Sequence, residues 1–350
     1  MMEKETKSNI IILYIIAILG ASIFYFLHIP LPWILGPLTL LLIWKHLTHK
    51  WFSVPTLLKQ ASFSITGVQI GTTFTTATLS VVFPFLLPYT FFTLLLIAAS
   101  MLIAILISKK SKVDSTTSLL GSIPGGLSVM VALVDSLKGN TGLVAIFHTI
   151  RLMAVLFLLP FIATHFLLQQ NDAASSVVEN NSGNIWTLLI FIPIFLVALY
   201  LDDKLPASTV IIPMFFMAIF RITGVPIADV PALLFILAQL TIGMYLAQSI
   251  SLKQVKAAGK HAFIFLGLAL FLIFISILFG IIFSYIANID MATAILSLAP
   301  GGLIEMALTA EAVGGDPSIV GSLQLVRMLL IVLLFPPLLK LYFNKQKRSD

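Results

Sequence analysis

Three charged side chains occur within long apolar segments of this chain: Arg151, Arg327 and Glu305. A guanidinium keeps its proton and presents a planar fork that suits a carboxylate or a phosphate. Each arginine could therefore recognise an anion, or it could hold backbone carbonyls or pair with an acid. A carboxylate inside a membrane costs about 3 kcal/mol and usually pairs or titrates. Glu305 is expected to carry a proton, to help hold a sodium ion, or to form a static ion pair.

A polar residue accompanies each arginine. His148 precedes Arg151 by three positions, and Gln324 precedes Arg327 by three. Residues at this spacing share one face of a helix, so His148 and Gln324 join the arginines as candidate binding residues.

A helix-breaking motif occurs twice, as Pro124-Gly125-Gly126 and Pro300-Gly301-Gly302, each followed by leucine. Proline removes a backbone donor and the two glycines add flexibility, so each copy predicts a broken helix. A single copy is most often a kink or a place of close helix packing. Two copies favour a binding site, because discontinuous helices expose their ends to solutes and ions in many secondary transporters.

The two motifs belong to a longer repeat with an offset of 176 residues. The matched pairs include Pro30/Pro206, Pro37/Pro213, Gly67/Gly243, Asp114/Asp290 and Arg151/Arg327. This pattern indicates a tandem duplication, with a first membrane repeat at 1–170, a polar external linker at 171–184 and a second repeat at 185–350. Glu305 matches Val129, so the second break is predicted to be the chemical half.

Composition places the chain in a bilayer. It is 59% hydrophobic and 10% charged, with a mean hydropathy of +1.09, whereas soluble domains have about 25% charged residues. The apolar segments are long enough to cross about 30 Å of hydrocarbon as helices. The predicted spans are 9–28, 30–45, 57–78, 81–108 and 141–168, then 185–201, 206–223, 230–250, 262–287 and 317–342. Broken or re-entrant segments are predicted at 115–137 and 291–312.

The positions of the lysines predict that the two repeats are inverted. The first half has basic residues in two loops where the second half has almost none, and Lys253, Lys256 and Lys260 match an uncharged stretch of the first half. Positive loops stay in the cytoplasm, so matched loops lie on opposite sides of the membrane. The expected fold is an all-α, polytopic membrane protein with two inverted repeats, each of about five spans plus a broken helix. Both termini are expected in the cytoplasm, with the protein in the cell membrane.

Several functions are disfavoured by what the sequence lacks. Without cysteine there is no disulfide, thiolate metal site or catalytic thiol, and the six histidines are scattered. The net charge of +6 is explained by orienting loops, so no nucleic-acid partner is expected. We expect no catalytic residues, no metal and no cofactor. The expected partners are the lipid bilayer and a small molecule or ion, and a homo-oligomer is left open.

The doubled motif, with the second copy continuing as Ile304-Glu305-Met306, resembles the AbrB-duplication membrane protein family over essentially the whole chain. Val129 departs from the acidic form of the motif, so only Glu305 carries that part of the match. Members have been labelled ammonia monooxygenase or regulator of gene expression. The resemblance also implies kinship with five-plus-five inverted-repeat transporters, such as the bile-acid symporter and sodium/proton antiporter type.

These observations favour a secondary transporter of a small polar or anionic solute, working by alternating access and coupled to protons or sodium. One alternative is a membrane regulator of gene expression that acts through a partner. Another is a membrane monooxygenase, for which the sequence offers no cofactor motif.

Overall fold

The computed structural model describes residues 10–110, 113–124, 130, 134, 137, 139–167, 183–202, 204–205 and 207–346. In the first half it contains helices α1 (Ile10–Phe26), α2 (Pro32–Thr48), α3 (Thr56–Thr72), α4 (Thr76–Lys110), α5 (Ser115–Ser122) and α6 (Thr141–Ile162), which continues as a π-helical turn, Ala163–Leu167. In the second half, a 3₁₀ turn at Ile185–Ile190 leads into α7 (Phe191–Tyr200), α8 (Ser208–Ile222), α9 (Ala232–Ser249) and the short α10 (Leu252–Ala257). The chain then forms α11 (Lys260–Ala287), α12 (Met291–Leu298), α13 (Leu303–Val313) and α14 (Pro317–Gln346).

The all-α, multi-spanning class predicted from the sequence is confirmed, and no strand occurs among the described residues. Four helical stretches are long and apolar enough to cross a membrane: Val82–Lys109, Thr141–Phe166, Ala232–Ala257 and Lys260–Ala287. Shorter apolar helices lie at Ile10–Phe26, Ile185–Tyr200, Ser208–Ile222 and Pro317–Leu333. Helices therefore occupy all ten predicted span positions, although several have only 15 to 17 residues.

Helix boundaries repeat with the same offset as the sequence. The pairs α2/α8, α3/α9, α5/α12 and α6/α14 each begin 176 residues apart. The residues that start these helices repeat too: Leu31 and Ala207 both adopt a left-handed conformation, and Asp114 and Asp290 both cap a helix. The Asp114 carboxylate accepts from the Thr117 amide at 2.8 Å, and that of Asp290 from the Thr293 amide at 2.7 Å. Each cap satisfies an amide that the first helical turn leaves without a partner.

The chain divides into two compact units, and each takes helices from both halves. One consists of residues 1–81, 160–252 and 307–318, and the other of 82–159, 253–306 and 319–350. The boundaries 1–170, 171–184 and 185–350 describe the sequence repeat and stay a prediction. Most of the linker, 171–182, lies outside the described residues.

Within the first unit, the two halves pack in a reciprocal way. Gly67 in α3 lies against the backbone carbonyl of Val210 in α8, and Gly243 in α9 lies against that of Ile34 in α2. Gly67 matches Gly243, and Ile34 matches Val210, so each half makes the same contact with the other. Such exchange of equivalent contacts is the pattern of two-fold packing. A side chain at either glycine would overlap a backbone carbonyl, which explains why small residues stand here.

Candidate functional site at the two helix breaks

The second break separates α12 from α13. Helix α12 ends at Leu298, Ala299 is extended (φ −58°, ψ 138°), and α13 begins at Leu303. The predicted broken segment at 291–312 is therefore a short helix, an interruption at Pro300-Gly301-Gly302, and a second short helix. The C-terminal end of α12 and the N-terminal end of α13 both face this interruption, and helix ends carry opposite partial charges.

Arg327 holds the backbone of the second break. Its guanidinium, 6% exposed, donates hydrogen bonds to the carbonyls of Ala299 and Gly301, on either side of Pro300. One turn earlier on α14, the Gln324 side-chain amide donates to the carbonyls of Leu296 at 2.8 Å and Ser297 at 3.2 Å. A fixed cation here stabilises the partial negative charge at the end of α12.

Glu305 lies on the first turn of α13, where an acid is favoured by the helix dipole. Its side chain is partly buried and folds back over Gly302. A Cβ atom at Gly302 would overlap a carboxylate oxygen of Glu305. The motif glycine therefore makes room for the carboxylate beside the break.

The first break is held in a similar way. Helix α5 ends at Ser122, and the Arg151 guanidinium donates to the Ile123 carbonyl at 2.8 Å. Arg151 also lies 3.1 Å from the Nδ1 atom of His148, whose Nε2 atom lies 3.1 Å from the Leu120 carbonyl. Because arginine can only donate, Nδ1 accepts and the Nε2 proton is donated to Leu120. Gly125 and Gly126 lie outside the described residues.

These bonds bear on the alternatives that the sequence left open for the arginines. Both guanidinium groups hold carbonyls at the end of a short helix, and they do so at matched positions: Ile123 matches Ala299, and Leu120 matches Leu296. The carbonyl bonds use two of the five N–H donors of Arg327. Holding the break and binding an anion are therefore compatible roles for this residue.

A small cavity is lined by residues of both breaks. It is lined by Thr93, Leu96, Ile97, Pro124, Leu272, Leu298, Pro300 and Arg327, all from the second compact unit, and it has room for about one water molecule. Two pairs of lining residues are related by the repeat, Pro124 with Pro300 and Leu96 with Leu272. The cavity therefore lies where equivalent parts of the two halves meet.

Two residues near this cavity were missed by the sequence reasoning. Tyr89 and Thr93 lie one turn apart on α4 and are buried, and the Tyr89 hydroxyl donates to the Ser297 carbonyl at 3.2 Å. The matched positions in α11 are Phe265 and Ala269. Two hydroxyls at helical spacing within an apolar span, present in one repeat only, were a signal that could have identified them.

No group of three or more His, Asp or Glu side chains that could hold a metal ion occurs in the described part of the chain. Of the predicted site residues, Pro124, Pro300 and Arg327 line the cavity. His148, Arg151 and Gln324 hold the ends of the short helices beside the breaks, and Glu305 lies against Gly302.

Comparison with known proteins agrees with the doubled motif. A family profile described as "Transition state regulatory protein AbrB" matches residues 1–105 and 53–343. The chain belongs to the AbrB family. It is 26% identical over 309 residues to "Uncharacterized protein YhjN" of Bacillus subtilis (strain 168), covering 82% of this chain and 80% of that protein. It is 25% identical over 337 residues, 93% of each chain, to "Putative regulator AbrB" of Escherichia coli (strain K12). No solved structure matches this AbrB-family chain.

Proposed function

We propose that this AbrB-family membrane protein is a secondary transporter that moves a small polar or anionic solute by alternating access. The observation that supports it most is the cavity bordered by both Pro124 and Pro300. Transporters built from inverted repeats place their substrates where broken helices of the two repeats meet.

The proposal gives the arginines a positional role. Arg151 and Arg327 fix the carbonyl ends of the short helices beside the breaks, and the remaining donors of Arg327 attract the solute. Together with His148 and Gln324, they keep the two interruptions open without leaving backbone groups unsatisfied in an apolar environment.

Glu305 is the proposed coupling residue. Its carboxylate lies beside the second break at the start of α13, and Val129 takes the matched position in the first repeat. A protonatable group at one break only would let one coupling ion accompany each solute. Glu305 would carry a proton or help to hold a sodium ion. The proposed setting is the cell membrane, with both termini in the cytoplasm and the bilayer as a permanent partner.

Flux measurements with the purified full-length protein in liposomes test this proposal. A panel of radiolabelled small organic anions, amines and neutral polar solutes is offered under an imposed proton or sodium gradient. We expect at least one solute to accumulate only with protein present, and accumulation to collapse when a protonophore or a sodium ionophore removes the gradient. Protein-containing and empty liposomes that accumulate every solute equally would refute the transport proposal.

The name of the Escherichia coli relative favours a second candidate, a membrane regulator that acts through a partner. Its contact surface would be the cytoplasmic side, where Lys256 lies in the short helix α10 and Lys260 is the first residue of α11. Crosslinking from these two lysines in cells should then capture one defined protein, and charge-neutral variants should lose it. Recovery of the same background proteins with wild type and variants would count against this candidate.

A further inference from the structure

The first compact unit has a basic end, where α2 and α9 finish and α3 and α8 begin. Two long-range contacts hold these helix ends together. The Lys45 ammonium donates to the Ile250 carbonyl at 2.7 Å, and the Gln60 side-chain amide donates to the Asp202 carboxylate at 2.7 Å. The lysines of this basic end are Lys45 near the end of α2, Lys50 directly after it, Lys59 on the first turn of α3 and Lys204 before α8.

Aromatic rings accompany these lysines. Three ammonium groups lie over a ring, at 4.2, 5.0 and 4.5 Å from its centre: Lys45 over Trp51, Lys59 over Tyr245 and Lys204 over Tyr200. All such lysine–ring contacts in the described part of the chain lie at the basic end. Tryptophan and tyrosine are enriched where a membrane protein meets the lipid headgroups, so the rings place the lysines at headgroup level.

The opposite end of the same unit also has aromatic side chains but a different charge pattern. Its rings are those of Tyr25, Trp33 and Trp186. There the Arg221 guanidinium pairs with the Asp229 carboxylate, the one ion pair among the described residues. The four lysines of the basic end have no such partner in that part of the chain, because the Asp202 carboxylate there accepts from Gln60 and Ser208. Unpaired positive charge therefore distinguishes the basic end.

We propose that the basic end binds the phosphate groups of acidic phospholipids, such as phosphatidylglycerol, in the leaflet that it faces. The Lys45 ammonium is held by three carbonyls at the end of α9, those of Ala247, Gln248 and Ile250, so it fixes the frame of this surface. Lys50, Lys59 and Lys204 reach the surface and supply the charges that attract phosphate. One lysine at an anionic bilayer surface strengthens the attraction about fivefold.

The apolar residues beside the lysines favour a lipid over an acidic protein as the partner. Leu47 and Leu57 flank the loop that carries Lys50, and Leu196 lies one turn before Tyr200 on α7; all three leucines are exposed. A bilayer covers the apolar and the charged parts of this surface together. A water-soluble acidic protein would cover the charges and leave the leucines to another partner.

The four tryptophans allow the two ends to be compared by fluorescence. Trp44 and Trp51 belong to the basic end, and Trp33 and Trp186 to the opposite end. The full-length Trp33→Phe/Trp186→Phe protein is placed in phosphatidylcholine vesicles with a bromine-labelled lipid, which quenches nearby tryptophans. We expect labelled phosphatidylglycerol to quench with at least about fivefold higher apparent affinity than labelled phosphatidylcholine. This preference should fall in about 1 M salt, which screens charges.

The reverse variant, Trp44→Phe/Trp51→Phe, reports on the opposite end of the unit. Both leaflets have the same composition, so both ends meet the same lipids in either orientation of the protein. We expect its tryptophans to be quenched equally well by the two labelled lipids, because the cation at that end is already paired. An equal preference for phosphatidylglycerol at both ends would overturn the assignment.

Lysine variants provide the second arm. In the Trp33→Phe/Trp186→Phe background, replacing Lys50, Lys59 and Lys204 with glutamine should remove the preference for phosphatidylglycerol. The matched control replaces three exposed lysines of the second compact unit, Lys109, Lys256 and Lys260, and should keep the preference. Equal losses in the two triple variants would show that net charge alone attracts the lipid, which would overturn a site at the basic end.

This inference and the transport proposal can fail separately. The lipid preference is measured without any solute, so it stands if no solute is moved in liposomes. Absence of the preference at Trp44 and Trp51 would overturn it, leave the charges to an acidic soluble protein, and leave the transport proposal untouched.

Discussion

The two helix breaks share one scaffold and differ in their chemistry. In both, a side chain on the following long helix holds the carbonyl four residues before the proline, through His148 at the first break and Gln324 at the second. In both, an arginine one turn later on that helix donates to the carbonyl of the residue directly before the proline. The second break adds a carboxylate, Glu305, on the first turn of the helix that follows, at the position where the first half has Val129. The two repeats thus share the side chains that hold the broken helix ends, and they differ at the position of the titratable carboxylate.

The same contrast extends to the neighbouring helices. Beside the second break, α4 presents Tyr89, which bonds to the Ser297 carbonyl, and Thr93. At the matched positions α11 has Phe265 and Ala269, and the Phe265 ring stacks on Phe147 of α6. Two hydroxyl side chains of α4 therefore lie beside the second break, whereas α11 has an aromatic ring and a methyl group at the matched positions. Repeat symmetry therefore identifies the scaffold, and departures from it identify the candidate chemistry.

If the breaks are inverted copies, matched loops must lie on opposite sides of the membrane, and this prediction has the largest expected effect. Lys109 and Tyr285 occupy matched positions at the ends of α4 and α11, both are exposed, and the chain contains no cysteine. In Lys109→Cys, a membrane-impermeant maleimide should label the protein only after the cell is opened. In Tyr285→Cys, it should label the intact cell. Labelling of both positions from the same side would show that the repeats are parallel.

Removal of the arginines compares the scaffolds directly. Arg327→Met leaves the Gly301 carbonyl without its hydrogen-bond donor, and an unsatisfied group of this kind costs about 1–3 kcal/mol. It also removes the charged partner of the Ala299 carbonyl, which keeps a hydrogen bond from the Gln324 side chain at 3.2 Å. Arg151→Met removes one carbonyl bond and one bond to His148, from a less buried site. Thermal unfolding in detergent should therefore show a larger loss for Arg327→Met. A larger loss for Arg151→Met would mean that the first break is the more constrained one.

The Glu305–Gly302 contact can be tested by a double-mutant cycle. Gly302→Ala places a methyl group where the Glu305 carboxylate lies and should cost no more than about 1 kcal/mol, because the overlapping atoms are the end of a flexible side chain that can move aside. In a Glu305→Ala background the same substitution should cost much less, because the overlapping atoms are gone. Thermal unfolding of the four proteins gives the coupling free energy. Additive effects would show that the carboxylate does not lie over Gly302.

Exchange of the matched side chains has the smallest expected effect. His148→Gln should change the unfolding free energy by less than about 1 kcal/mol, because Gln324 makes the equivalent bond to a carbonyl at the second break. His148→Leu leaves the Leu120 carbonyl and Arg151 without this partner and should cost about 1–3 kcal/mol. A loss in His148→Gln as large as in His148→Leu would show that the imidazole has a role that a side-chain amide cannot fill.

Much of this architecture could be predicted from the sequence, because helix breakers and caps act locally. Helix ends are marked by local signals: the capping residues Asp114 and Asp290, and Pro300 with the glycines after it. Because the sequence repeats with a fixed offset, a helix end recognised in one half also predicted the matching end in the other half. The helix ends differ from the predicted ones by a few residues, most at α3, which ends at Thr72 rather than at residue 78. Lysine positions added a predicted orientation.

The contacts of the breaks could not be predicted in the same way. The sequence left Arg327 with several partners, because a guanidinium fits a carbonyl, a carboxylate or an anion equally well by type. Its choice of the Ala299 and Gly301 carbonyls depends on how α14 packs beside the break. Thr93 was missed for the same reason, since a threonine in an apolar helix usually bonds to its own backbone. Its place in the cavity wall is a property of the packed structure.

Gradient-driven uptake in liposomes by Glu305→Gln, compared with Glu311→Gln, tests most directly whether the second break is the chemical half. Both acids lie on α13, but Glu305 is beside the break and Glu311 accepts a hydrogen bond from the Gln69 side chain at 3.3 Å, near the other end of the helix. Both substitutions keep the size of the side chain and remove its charge. The account predicts that Glu305→Gln abolishes accumulation of the solute against its gradient and that Glu311→Gln retains it. Accumulation by Glu305→Gln at the wild-type rate, with the same dependence on the proton or sodium gradient, would contradict it.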